Sequence, residues 1–158
     1  MILVSACLLG VKCRYDGQGK EYKELVERLA GGGVIPVCPE QLGGCPTPRT
    51  QCEILGGNGA GVLDGKCRVI GKNGKDVTDA LIKGALETLK IASTCGVKMA
   101  ILKARSPSCG FGRIYDGTFT GNMTEGNGVT AELLHRNQIE VFTEETFDGK
   151  VGRAENGQ

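Results

Sequence analysis

The chain has no tryptophan, no pair of cysteines two residues apart, no apolar run as long as a membrane span and almost no net charge. Each absence narrows the field. With 19 basic against 18 acidic side chains the net charge is +1, so no basic field exists of the kind that grips a phosphate backbone, and a nucleic-acid partner is unsupported. A membrane helix needs about 20 consecutive apolar residues, and none is expected here. The opening MILVSACLLG lacks a charged start and soon meets the polar KCRYDGQGK, which is not the pattern of a signal peptide. A soluble, cytoplasmic enzyme or binding module is therefore the expected class. The lack of a CxxC pair speaks against zinc ribbons and fingers, which take their ligands from tight knuckles. A ferredoxin-type cysteine run is missing too, which speaks against a simple electron carrier.

What is present is glycine and cysteine. Twenty-six glycines beside three tyrosines and four phenylalanines predict many tight loops around a modest aliphatic core. At 158 residues the chain reads as one domain, long enough to bury most of its apolar surface without disulfides. The eight cysteines need another explanation, and in a reducing cytosol that is free thiols, metal ligands or catalysis.

Hydrophobic periodicity orders the chain. Met1 to Ala6 is a short apolar strand, and Tyr22, Leu25, Val26 and Leu29 mark one face of a helix that Gly31 to Gly33 end. Val34 to Val37 is a second strand, with Pro36 counting against a fully paired central position. CPEQLGGCPTPR reads as irregular. GVLDGKCRVIGKNGKDVT suggests a hairpin around Asp64 and Gly65 and a turn at Asn73 and Gly74. The clearest helix spans Val77 to Cys95, with Asp76 as its cap and Gly96 after its end, and leads into the strand VKMAILKA. Val129 to Arg136 is a helix and Ile139 to Phe142 a last strand. This alternation is that of a three-layer α/β domain with a largely parallel sheet, over residues 1–145, with a frayed tail from 146 to 158.

Cys7 ends the first predicted strand, Cys38 ends the second and Cys109 lies just beyond the third. In an open parallel sheet the carboxyl ends share one edge, and ligands bind there where strand order reverses. Thiolates at that edge suit zinc or an iron–sulfur cluster. A cluster on three dispersed cysteines would leave one iron open as a Lewis acid. Cys13 is a fourth ligand, an exchangeable one or a mere neighbour. Cys45, Cys52, Cys67 and Cys95 read as packing residues or oxidisable surface thiols, the commoner fate of a cysteine in such a fold.

Glu40 and Ser106 travel with these thiols. A carboxylate can act as general base and a hydroxyl can relay a proton, whereas the plainer roles are capping a loop and starting a turn. His135, the only histidine, is assigned a structural role on a helix surface. The two YDG segments, Tyr15 to Gly17 and Tyr115 to Gly117, read as Asp-Gly turns whose Asp16 and Asp116 could bracket the mouth of the pocket. GGNGAG, Gly56 to Gly61, lacks the preceding strand and following helix that a nucleotide-binding loop needs.

In order and spacing, VSACLLGVKCRYDG, PVCPEQLGG, AILKARSPSCGFGRIYDGTFTG and GNGVTAELL resemble a bacterial family long known as a domain of unknown function. One branch of it is the thiouracil desulfidases (TudS-like). The likeness runs from Met1 to about Glu145, and SACLLG, CPE and RSPSCG together are specific. It implies a Rossmann-like domain with a [4Fe-4S] cluster on Cys7, Cys38 and Cys109, and Glu40 and Ser106 as the catalytic pair. The implied reaction is non-redox: the free iron binds the sulfur of a small thiolated nucleobase, such as 2-thiouracil or a similar thioamide, and water activated by Glu40 adds at the carbon. The chain departs from the family pattern at Cys45, where an aliphatic residue is expected, and at Cys67, where a small one is. Two other classes compete with this expectation: a sulfur or metal trafficking module without turnover, and a structural zinc domain that binds protein partners.

Overall fold

The computed structural model describes residues 1–147. Along the chain run β1 (Ile2–Ser5), a 3-10 turn (Ala6–Leu9), α1 (Lys23–Leu29), β2 (Val34–Val37), α2 (Pro39–Leu42), β3 (Cys52–Leu55), α3 (Gly59–Leu63), β4 (Arg68–Gly71), α4 (Thr78–Thr94), β5 (Met99–Leu102), β6 (Arg113–Tyr115), β7 (Met123–Glu125), α5 (Val129–Arg136) and β8 (Glu140–Thr143). The central sheet has the order β2-β1-β5-β8, and every pairing in it is parallel. The two-residue period of a strand splits the core. Ile2 and Val4 join Leu25, Leu29, Ile101 and Phe142 on the α1 face, while Leu3 joins Ala92, Leu102, Ala131 and Leu134 on the α4 and α5 face. The result is the expected Rossmann-like three-layer α/β domain.

Strand order reverses at β1: its chain successor β2 lies on one side and β5 on the other. Pro36 sits in β2 at the sheet edge, where its missing N–H is tolerated. Two glycines bring α2 against α4. A Cβ on Gly43 would overlap the Ala80 carbonyl, and one on Gly84 would overlap that of Pro39. The first N–H groups of α5, which a helix cannot satisfy itself, are taken by the turn that carries Cys109. Val129 donates to the Pro107 carbonyl at 2.8 Å and Thr130 to that of Ser108 at 2.9 Å. Gly128 makes this approach possible, because a Cβ there would lie 2.6 Å from the Ser108 oxygen.

Several expectations need correction. CPEQLGGCPTPR is not wholly irregular: Pro39 to Leu42 form α2, with Pro39 at the first position, where its missing N–H costs nothing. Asp64 and Gly65 are no hairpin turn. They end α3, and β4 pairs antiparallel with β3 instead. GGNGAG does have a strand before it and a helix after it. Its N–H groups are spent on protein acceptors, Gly59 donating to the Asn127 carbonyl at 2.7 Å and Gly61 to Asn58 Oδ1 at 3.1 Å. The ordered chain also outlasts Glu145, since Phe147 is buried against Tyr22 and beneath the Arg28 guanidinium. The rest of the expected tail, 148–158, lies outside the described residues. The turn at Asn73 and Gly74 is present, closed by Gly71 N–H to the Lys75 carbonyl at 2.7 Å. Among the described residues no helix is long and apolar enough to cross a membrane.

Candidate active site

A cavity of about 260 Å³ opens at the carboxyl ends of β1, β2 and β5, lined by Cys7, Cys38 and Cys109 together with Cys13, Glu40 and Ser106. All six residues singled out in the sequence thus meet at one place. Cys7 lies beyond the end of β1, in the 3-10 turn that Gly10 closes in the left-handed region, with φ 92°. Cys38 is the residue on which α2 begins. Cys109 is held by Ser106, whose Oγ accepts the N–H of Cys109 at 2.9 Å and that of Ser108 at 3.1 Å. This is the turn-starting role of a serine. It leaves the Ser106 hydroxyl hydrogen free to donate, at the cavity wall.

The thiols interact with one another. The Cys38 Sγ donates to the Cys13 carbonyl at 3.7 Å. Hydrogen bonding to Cys13, then burial, push the Cys38 thiol far above its ordinary range. For Cys13 the bond with Cys38 pulls down but is outweighed by Cys7 and burial, so the net shift is upward. Burial pushes Cys109 up to about 12. Desolvation disfavours a lone thiolate, and a bound metal reverses that preference. Among the described residues no group of three or more His, Cys, Asp or Glu side chains is disposed to hold a single metal ion. Cys7, Cys13, Cys38 and Cys109 nevertheless line one cavity and offer it an all-sulfur donor set. Such a soft set suits an iron–sulfur group.

Glu40 lies in the first turn of α2, and its carboxylate is held from both sides. Arg49 Nη2 donates to Oε2 at 3.1 Å and the Cys52 thiol to Oε1 at 3.5 Å. The Arg49 and Glu40 side chains are 8% and 18% exposed, so the pair is shielded enough for its charges to matter. Burial alone would lower the arginine pKa, but the adjacent Glu40 carboxylate outweighs it and the net shift is upward. Burial, then the Glu40 charge, push the Cys52 thiol well up.

The YDG motifs contribute differently from expectation. The cavity is lined by Tyr15 and Tyr115, while Asp16 and Asp116 close turns by accepting the N–H of Gln18 and of Thr118, each at 3.0 Å. His135 is exposed and meets the ring of Phe111, away from the cavity. Lys103, also in the cavity lining, pairs with the buried Glu144 at 2.8 Å.

A family model described as 2-thiouracil desulfurase matches residues 2–146. The chain belongs to the 2-thiouracil desulfurase family. Another chain of similar sequence is the uncharacterized protein YbbK of Bacillus subtilis (strain 168), 43% identical over 144 residues, 91% of this chain and 95% of that protein. A solved structure described as the [4Fe-4S]-dependent thiouracil desulfidase TudS is similar at 40% identity with a TM-score of 0.84, covering 99% of this chain and 98% of that one.

Within this desulfurase-family chain, two site residues escaped the sequence reading. Cys52 reads in the sequence as a packing residue or a surface thiol, but its thiol contacts Glu40 and the residue lines the cavity. Arg49 was passed over inside CPTPR. The signal that could have found it is charge: Arg49 is the one cation between Cys38 and Lys66, in a stretch that also supplies Glu40.

Proposed function

We propose that this chain holds a [4Fe-4S] cluster on Cys7, Cys38 and Cys109 and removes sulfur from a thiolated nucleobase of the thiouracil kind, or a similar thioamide, by hydrolysis. The observation that carries the proposal is the convergence of three thiols from three strand ends, those of Cys7 and Cys109 buried and that of Cys38 half-buried, on one cavity beside a carboxylate. The donor set fits, being all sulfur. When bound, the cluster supplies an iron without a protein thiolate, a Lewis acid for the thiocarbonyl sulfur.

The chain's own residues do the rest. Glu40, fixed from both sides, takes a proton from a water that adds to the thiocarbonyl carbon. The Ser106 hydroxyl, with its oxygen engaged by two backbone N–H groups, donates its hydrogen to the substrate or to that water. Tyr15 and Tyr115 offer ring edges or faces to a flat base. The balance is thiocarbonyl plus water giving carbonyl plus hydrogen sulfide, with no net oxidation or reduction.

The trafficking alternative requires a reactive, low-pKa thiol. Cys52 and Cys109 are pushed the other way, by burial first. The deciding experiment is turnover by anaerobically prepared protein carrying four irons per chain, the content of a single four-iron cluster. Many uracils released per chain support the enzyme; release that stops at one equivalent, or an iron-free chain containing stoichiometric zinc, refutes it.

A further inference from the structure

Among the described residues Glu40 is the one carboxylate in the cavity lining, and each of its oxygens takes a donor from the segment 49–52. Arg49 Nη2 holds Oε2 at 3.1 Å and the Cys52 thiol holds Oε1 at 3.5 Å. The guanidinium is itself anchored. Nη1 donates to the Cys13 carbonyl at 3.0 Å, the Pro46 carbonyl at 3.2 Å and Thr47 Oγ1 at 3.1 Å, and the Arg49 backbone N–H donates to the Tyr15 carbonyl at 2.8 Å. Thr47 Oγ1 also accepts the Gln41 side-chain amide at 2.8 Å, which ties the same turn to α2. Nε is buried with no hydrogen-bond partner. An unpaired buried donor is costly, so the side chain is placed by what its two Nη atoms hold and not by the best pairing of all its donors.

The two donors differ in kind. The arginine bond is charge-assisted and strict in direction, and a lysine ammonium would keep the charge but lose the fork that reaches Glu40 and the Cys13 carbonyl together. A thiol is a weak donor. Burial, then the Glu40 charge, keep the Cys52 thiol protonated by pushing its pKa well up. A carboxylate has about four acceptor sites, so with one donor on each oxygen Glu40 retains capacity to take a proton.

We propose that Arg49 and Cys52 are the positioning residues of Glu40, the guanidinium fixing one carboxylate oxygen relative to the Cys13 loop and the thiol fixing the other, so that the base meets its water in a single orientation. This inference rests on the reading of Glu40 as general base and deepens it. It makes Cys52 a hydrogen-bond donor rather than a cluster ligand or a sulfur carrier. Orientation matters at this scale because a displacement of about 1 Å in a reacting group can cost about 10²-fold in rate.

The test is a set of double-mutant cycles on the intact, anaerobically reconstituted chain. Arg49→Lys, Cys52→Ala and Cys52→Ser are each made in the wild-type and in the Glu40→Gln background, reading iron content, kcat and KM on 2-thiouracil, with crystal structures of the single variants. All are expected to keep the wild-type iron content. In the wild-type background kcat falls by up to about 10²-fold in Arg49→Lys and by about threefold to tenfold in Cys52→Ala, the smaller loss of a weaker donor, while KM stays within about twofold. Cys52→Ser, which keeps a donor, recovers most of the Cys52→Ala loss. In the Glu40→Gln background the same changes move kcat by less than about twofold, because residues that act as a unit do not add. In the Arg49→Lys crystal the Glu40 carboxylate leaves its wild-type orientation.

Losses of equal size in both backgrounds overturn the proposal. So do wild-type kcat in Arg49→Lys or Cys52→Ala, an unmoved Glu40 in a slow Arg49→Lys protein, and loss of iron from Cys52→Ala, which would make Cys52 a ligand. Should Arg49→Lys fail to fold, the Cys52 cycle decides by the same criteria. An iron-loaded wild type that does not turn over, or a Glu40→Gln protein with undiminished turnover, refutes the functional reading and takes this inference with it. Additive losses on an active, Glu40-dependent chain refute the inference alone.

Discussion

Cys109 and Cys67 both lie in turns crowded with glycine, yet their sulfurs have different surroundings. The Cys67 thiol donates to the Gly56 carbonyl at 3.5 Å and fills the gap that Gly57 leaves, where a Cβ would stand 2.5 Å from the sulfur. It closes the joint between β3 and α3, within an antiparallel pair outside the main sheet. Cys109 follows the central strand β5 and lines a cavity. Turn composition does not separate these two cysteines. Their distance from the carboxyl edge of a parallel sheet does, because only there do segments remote in sequence arrive side by side.

The largest expected effect sets the two thiols directly against each other. Cys109→Ser should lose iron and uracil release together, whereas Cys67→Ser should keep both at wild-type levels, as iron analysis and anaerobic assay would show. A Cys109→Ser protein with full iron would mean that Cys13, already in the cavity, serves as the ligand. Next in size is Glu40→Gln, in which cluster absorbance stays while turnover drops by about 10²–10⁴, the range of general base help; undiminished turnover would assign the base elsewhere. The smallest effects concern glycines near to and far from the site. Gly84→Ala forces a methyl into the Pro39 carbonyl and should cost about 1–3 kcal/mol by overpacking, while lowering turnover because α2 carries Glu40. Gly65→Ala meets open space with φ 76°, so it should cost about 1 kcal/mol of backbone strain and leave turnover unchanged. Thermal unfolding and uracil release on both proteins would check this.

The parallel sheet was readable because its strands are uninterrupted apolar runs and its long helix carries a clear period. Ile2, Leu3 and Val4 form one such run, and Leu81, Ala85 and Ala92 share one side of a helix. The antiparallel pairs of β3 with β4 and β6 with β7 were not readable. They are set among glycines and lack an uninterrupted apolar run, so neither alternation nor turn residues distinguish them from loop. α2 escaped for a similar reason, being a single turn whose helical state depends on packing against α4.

From the sequence alone came the residue types, the strand-end placement of Cys7, Cys38 and Cys109, and the proximity of Glu40 and Ser106 to them along the chain, since all of these are local properties of spacing and period. The tertiary structure alone decided that Tyr15 and Tyr115 rather than the neighbouring aspartates face the cavity, that Cys52 and Arg49 hold Glu40, and that one Arg49 donor is left without a partner. Those facts depend on which remote segments share a wall, and that is set by the burial of the whole core, which no short stretch of sequence contains.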